Sequence, residues 1–163
     1  MNQPEMIRID ERFIETISEK AKLSSRRRMN FNFHPTEEDT LQRMLNAMEP
    51  DTYIQPHKHE MPDKTEVFFC LRGRILVVEY ADSGTIADHI ILDSKQGNFG
   101  CEIAARIWHS IISLESGSVA YEVKHGPYEP SVDKHFATWA PKEGDPAGTL
   151  FNQKILEILN LDE

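Results

Sequence analysis

The period of the apolar residues changes twice along the chain. Phe13, Ile14, Ile17 and Ala21 fall at helical spacing, polar residues fill the other face, and Asp10 is placed to cap the first turn. A helix is therefore predicted over about residues 10–25. Phe31-Asn-Phe33-His34-Pro35 reads as a polar, irregular stretch. Leu41, Met44, Leu45 and Met48 return to helical spacing, and Thr36 with Asp39 resembles a capping box, but the segment runs straight into the turn Pro50-Asp51-Thr52. The reading adopted is a short helical turn near 36–40 and a strand from about 42 to 49. From residue 52 to 124 the runs are short and rich in β-branched and aromatic residues: 67–71, 75–80, 89–92, 107–114 and 119–123. Turn signals at Arg72-Gly73, Asp82-Ser83-Gly84, Gln96-Gly97 and Ser116-Gly117 separate them. Residues 131–147, rich in Pro and Gly, are expected to wrap the surface, and Leu150, Phe151, Ile155, Ile158 and Leu159 mark a second helix over 149–160.

Closely spaced strands with hairpin turns imply a sandwich, jelly roll or barrel. The predicted fold is thus mainly β, with one helix at each end. The 163 residues suit a single domain: helix at about 10–25, barrel at about 42–125, wrap and helix at about 126–160.

Charge and composition narrow the partners. A formal net charge of −9 disfavours nucleic acid and anionic membrane, both of which would repel the chain. No apolar run approaches the roughly 18 residues needed to span a bilayer. The first ten residues show no basic-then-apolar signal pattern, so the expected compartment is the cytoplasm. Cys70 and Cys101 form no CxxC pair and read as reduced, mostly buried thiols. Arg26-Arg27-Arg28 reads as the solvated end of the first helix.

Three elements carry chemistry. On a strand, His57 and His59 of His57-Lys58-His59 project to one face, a common start to a transition-metal site. Glu66 shares a face with Phe68 and Cys70, where an isolated carboxylate is costly and a cation relieves the cost. A solvated Glu66 paired with Lys58 or Lys64 is the plainer alternative. His109 shares a face with Ile111 and Ser113; taken singly, such a residue is more often a hydrogen-bonded core histidine than a ligand.

The spacing of these residues resembles the cupin superfamily, whose first motif runs G-x5-H-x-H-x3–4-E-x6-G. His57, His59, Glu66 and Gly73 match it, with six residues between Glu66 and Gly73. Asp51 replaces the leading Gly, and six residues separate His59 from Glu66. Of the second motif, G-x5-P-x-G-x2-H-x3-N, only His109 matches; Ala104, Arg106 and Ser113 replace the Pro, the second Gly and the Asn. The runs Gln42-Arg-Met-Leu-Asn46, Tyr53-Ile-Gln-Pro-His-Lys-His59, Glu66-Val-Phe-Phe-Cys-Leu-Arg-Gly73, Gly126-Pro-Tyr128 and Trp139-Ala-Pro141 look like the WbuC family, cupin-fold metalloproteins encoded near genes for O-antigen and other surface polysaccharides. The resemblance implies a cupin-type double-stranded β-helix (a jelly-roll barrel). It also implies one divalent metal ion on His57, His59, Glu66 and His109, a carbohydrate-derived ligand and a homodimer. It implies no defined reaction.

Three imidazoles and one carboxylate suit Zn, Fe, Mn or Ni without choosing among them. Open metal positions would suit paired ligand oxygens, and Tyr53, His34 and Glu102 are candidates to carry a proton. Arg106 and Arg43 are candidates to meet an anionic ligand. Trp108 reads as core, and His125 and His135 as incidental. The function expected is thus that of a metal-binding cupin of polysaccharide metabolism, with a metal-dependent sugar isomerase or epimerase as the enzymatic form. The alternatives are an Fe(II)-dependent dioxygenase and a non-catalytic metal- or sugar-binding module.

Overall fold

A computed structural model describes residues 6–161. Helix α1 (Glu11–Leu23) begins where the Asp10 carboxylate accepts a hydrogen bond from the Phe13 N–H at 2.9 Å. It ends at Ser24, whose N–H closes on the carbonyls of Lys20 and Ala21. The strands are β1 (Arg28–Asn32), β2 (Leu41–Met48), β3 (His57–Lys58), β4 (Glu66–Arg72), β5 (Ile75–Tyr80), β6 (Ile86–Leu92), β7 (Gly100–Ile103), β8 (Trp108–Ser113), β9 (Ser118–His125) and β10 (His135–Phe136). Helix α2 (Ala147–Ile158) follows. Two five-stranded antiparallel sheets, β1-β2-β9-β4-β7 and β10-β3-β8-β5-β6, face each other as a jelly roll. The fold is mainly β with a helix near each end, as the sequence predicts.

Alternation along the strands sorts side chains between the interior and two outer layers. On β5, Ile75 and Val77 point inward to Met48, Phe68, Cys70 and Ile111. Leu76, Val78 and Tyr80 point outward to Ile155, Phe151 and Trp139, so α2 packs on the outside of that sheet. On β2, Leu45 and Ala47 point outward to Ile14, Ile17 and Ala21, so α1 packs on the outside of the other. No residue of either helix lines the cavity inside the barrel.

The interior has an apolar end and a polar end. Going along β4 the inward residues are Glu66, then Phe68 and Cys70; along β9 they are Lys124 and Glu122, then Ala120; along β8 they are His109, then Ile111. The apolar half is a close-packed core, and the polar half opens into a cavity of about 470 Å³.

Two local expectations are corrected. The stretch around Phe31 is a regular strand, β1, paired along its length with β2. Phe31, and Phe33 just past the strand's end, pack on Phe13 of α1, Met29 joins the same outer cluster, and Asn30 and Asn32 face the cavity. Asparagine is poor in strands, and that hid the alternation. Arg28 accordingly begins a strand instead of ending a helix. Residues 36–40 form a turn with no helix, the Asp39 N–H donating to the Thr36 carbonyl at 3.3 Å. Cys70 is buried, Cys101 half-buried, and both are free thiols. Among the described residues no helix is long and apolar enough to cross a membrane.

Leu45 is fully buried between α1 and the sheet, whereas Leu23 is exposed. Leu45→Ala should cost about 2–5 kcal/mol, and Leu23→Ala less than about 0.5 kcal/mol. Urea midpoints of the two variants check the contrast.

Candidate metal centre

Strand pairing puts His57 directly opposite His109 on β3 and β8, and their ring centroids lie 4.6 Å apart. His59 follows two residues on, its ring centroid 5.3 Å from that of His57. Glu66 comes from the facing sheet, at the polar end of β4. All four residues are buried, and one donor atom from each lies within 4.8 Å of the others.

The rings are held for a purpose that their hydrogen bonds reveal. Nδ1 of His57 donates to the Gln55 carbonyl at 3.0 Å, and Nδ1 of His109 to the Ile107 carbonyl at 2.9 Å. Nδ1 of His59 donates to the Asp133 carbonyl. In a neutral ring, a proton on Nδ1 leaves the lone pair on Nε2. Yet His109 Nε2 lies 3.1 Å from Glu66 Oε2, and His59 Nε2 touches Oε1 of the same carboxylate without making a hydrogen bond. Lone pairs in contact need a proton or a cation between them. One divalent cation would meet both contacts, so the residues present fit a metal.

Electrostatics favour the binding form of His57 and of Glu66. Burial, then the charge of Lys134 and the neighbouring His109, holds His57 well below the usual imidazole range, so it is neutral. Burial is the strongest influence on Glu66 and pushes its carboxyl up, but His109 and His59 outweigh it and bring it well below the usual carboxylate range.

Around the centre lies a buried ion network. Asp133 joins Lys64 at 2.5 Å and Lys124 at 2.9 Å, all three being nearly inaccessible to solvent. Lys124 reaches on to Glu66 Oε1 at 3.9 Å. Burial pushes the Asp133 carboxyl up, but the two lysines outweigh it and hold it below its ordinary value. Asp133 thus does two jobs: its carbonyl orients His59 and its carboxylate pairs with two buried lysines. Glu122 also lines the cavity, one oxygen bonded by the Asn46 amide at 2.5 Å; burial first, and the charge of Glu66 second, raise its pKa.

The other candidates are dispersed. His34 lines the cavity, with Nδ1 against the Arg43 backbone at 3.0 Å. Tyr53 lies outside the cavity lining and donates its hydroxyl to the Pro141 carbonyl at 2.8 Å. Glu102 is exposed on β7, opposite Val67. Arg106 is exposed, pairs with Asp63 at 2.9 Å and has φ of 71°, a left-handed conformation at the position the cupin motif gives to glycine. Arg43 points outward on β2 and contacts the Leu41 and Phe33 carbonyls. Trp108 packs against Trp139, under the Lys58 ammonium. Sequence reasoning missed Asp133, Lys124 and Glu122. The inward alternation of β9 carried a signal for the last two; Asp133, in an irregular segment, carried none.

A family model described as a domain of unknown function (DUF6016) matches residues 9–92. The chain belongs to this family. The matched segment of this DUF6016 chain includes His57, His59 and Glu66 but stops before His109. No curated protein matches the sequence. Among solved structures, the capsular polysaccharide assembling protein CapF from Staphylococcus aureus is similar at 19% identity and a TM-score of 0.55, over 66% of this chain and 28% of that one. The chain therefore spans under a third of CapF. L-ribose isomerase from Cellulomonas parahominis is similar at 13% identity and a TM-score of 0.54, over 68% of this chain and 69% of that one. The Geodermatophilus obscurus L-ribose isomerase gives 12% identity and a TM-score of 0.53, over 76% and 71%. At these identities the likeness is one of fold, and the fold is that of the cupins.

The ion network sets a pH dependence. Because the folded Asp133 carboxyl titrates below its unfolded value, its contribution is complete above about pH 4 and is lost as pH falls through the folded pKa. Asp133→Asn should lower stability at neutral pH by about 3–5 kcal/mol and flatten the acid limb of the stability profile, as read from denaturant melts between pH 3 and 7.

Proposed function

We propose that this chain is a divalent-metal cupin of the WbuC type that binds, and acts on, a sugar-derived small molecule in surface-polysaccharide metabolism. One observation carries the reading: two histidine nitrogens confront the two oxygens of one buried carboxylate, with a third imidazole beside them. His57, His59, Glu66 and His109 would hold the ion, which when bound supplies Lewis acidity toward a carbonyl or hydroxyl oxygen. The chain's own residues do the rest. The polar end of the barrel admits the ligand, the apolar end keeps water from behind it, and Glu122, held by Asn46, presents a carboxyl to the cavity for hydrogen bonding or proton transfer. CapF, by its name a polysaccharide-assembling protein, and the L-ribose isomerases share the fold, which is compatible with sugar chemistry.

The reading takes the chain as one cytoplasmic domain that forms a homodimer. Exposed Phe69 and Leu71 on the outer face of β4 lie beside Ile9 and Tyr121 and offer an apolar surface for a second copy. Light scattering on the eluting protein should give twice the chain mass, and Phe69→Glu/Leu71→Glu should return it to the chain mass with the fold intact by circular dichroism.

Elemental analysis by plasma mass spectrometry tests the centre. The purified protein should carry about one transition-metal ion per chain, and a His57→Ala/His109→Ala variant should carry none while keeping its β-rich circular dichroism. Absence of metal from the unaltered protein after reloading would remove the metal reading. The element found selects the assay: oxygen uptake for iron, sugar isomerisation for zinc, manganese or nickel.

A further inference from the structure

Four cationic side chains line the cavity: Arg26, Arg28, Lys124 and Lys134. Three have carboxylate partners. Arg26 and Arg28 both meet Glu143, and Lys124 meets Asp133 at 2.9 Å. Among the described residues no carboxylate lies within ion-pair distance of Lys134, and its ammonium makes no hydrogen bond. Lys134 is half-buried, so its isolation differs from that of a solvated surface lysine.

Its place is fixed on both sides. Asp133, the residue before, is anchored in the ion network, and β10, which begins at the residue after, pairs with β3 so that Phe136 sits opposite His57. Lys134 lines the same cavity as His57, Glu66, His109 and Glu122. The four cations are matched in number by the lining carboxylates Glu37, Glu66, Glu122 and Glu143, so a divalent ion would leave the cavity with a formal excess of +2. A cavity with that excess in a chain of net charge −9 is built for an anion. The β1–β2 wall adds the carboxamides of Asn30, Asn32 and Asn46, groups that hydrogen-bond hydroxyls, and the volume of about 470 Å³ has room for a ligand of sugar size.

We infer that the ligand is a polyhydroxylated anion, a sugar acid or sugar phosphate, whose charged group is taken by Lys134 while its hydroxyl oxygens reach the metal centre and the carboxamide wall. This inference rests on the metal-centre reading and names the substrate class of the same site.

Titration calorimetry on the metal-loaded full chain tests it, with gluconate, glucose 6-phosphate and uncharged sorbitol as probes and metal content measured in the same samples. Gluconate or glucose 6-phosphate should bind at least about tenfold more tightly than sorbitol, and Lys134→Gln should remove that advantage, roughly tenfold, with metal content and sorbitol binding unchanged. The better of the two anions distinguishes carboxylate from phosphate. Full metal content with equal binding of all three probes, with binding of none, or with an anion preference that survives Lys134→Gln overturns the inference and leaves the metal centre standing. A Lys134-dependent anion preference in a protein that takes up no metal sustains the anion site and overturns the metal centre. Loss of both overturns both.

Discussion

A carboxylate inside a β-barrel has lost the water that stabilised its charge, and something positive must replace it. Glu66 is in that position at the polar end of β4, nearly inaccessible, with a histidine nitrogen against each oxygen. Those nitrogens cannot supply the charge as neutral rings, because their protons are committed on the opposite side to backbone carbonyls. The arrangement is stable only with protons or a cation at its centre. The rest of the interior follows from this. The apolar end of the barrel can be a packed core because the charges are gathered at one end, and the helices are relegated to the outside because both inner faces are occupied.

The second consequence is the ion network. Placing lysines next to a buried carboxylate compensates part of its charge but creates new charges that need partners. Lys124 reaches toward Glu66, Asp133 answers Lys124 and Lys64, and all of them are enclosed. Such a set gains little over an apolar core of the same volume. Its value lies in geometry, since the residue whose carboxylate balances the lysines also holds His59 through its carbonyl.

Much of this was legible from the chain alone. Period-two runs from β4 onward pointed to the β architecture, and alternation showed which residues share a face, but it was the resemblance to the cupin motif that made His57, His59, Glu66 and His109 one group. The helix-like spacing of Leu41, Met44, Leu45 and Met48 was ambiguous because β2 is buried on both faces, Leu45 and Ala47 against α1 and Met48 against the inner core. β1 was missed because its inward face is asparagine, suited to a wet cavity instead of a core. The positive partners were misplaced for another reason: strand alternation turns Arg43 outward, and a tight turn carries Arg106 to Asp63. Lys134 and Asp133 lie in a segment without periodicity, where no local rule predicts what a side chain will meet.

The histidine hydrogen bonds also divide by reach. His57 and His109 are each oriented by the carbonyl two residues before them, so their rings are aimed by their own strands. His59 is oriented by Asp133, 74 positions further along the chain. A growing chain complete up to β9 would already hold all four donor residues, yet with one ring free to turn. The His59 ring is fixed only when the segment carrying Asp133 docks, so a stretch of chain downstream of all four residues decides when the donors become a fixed set.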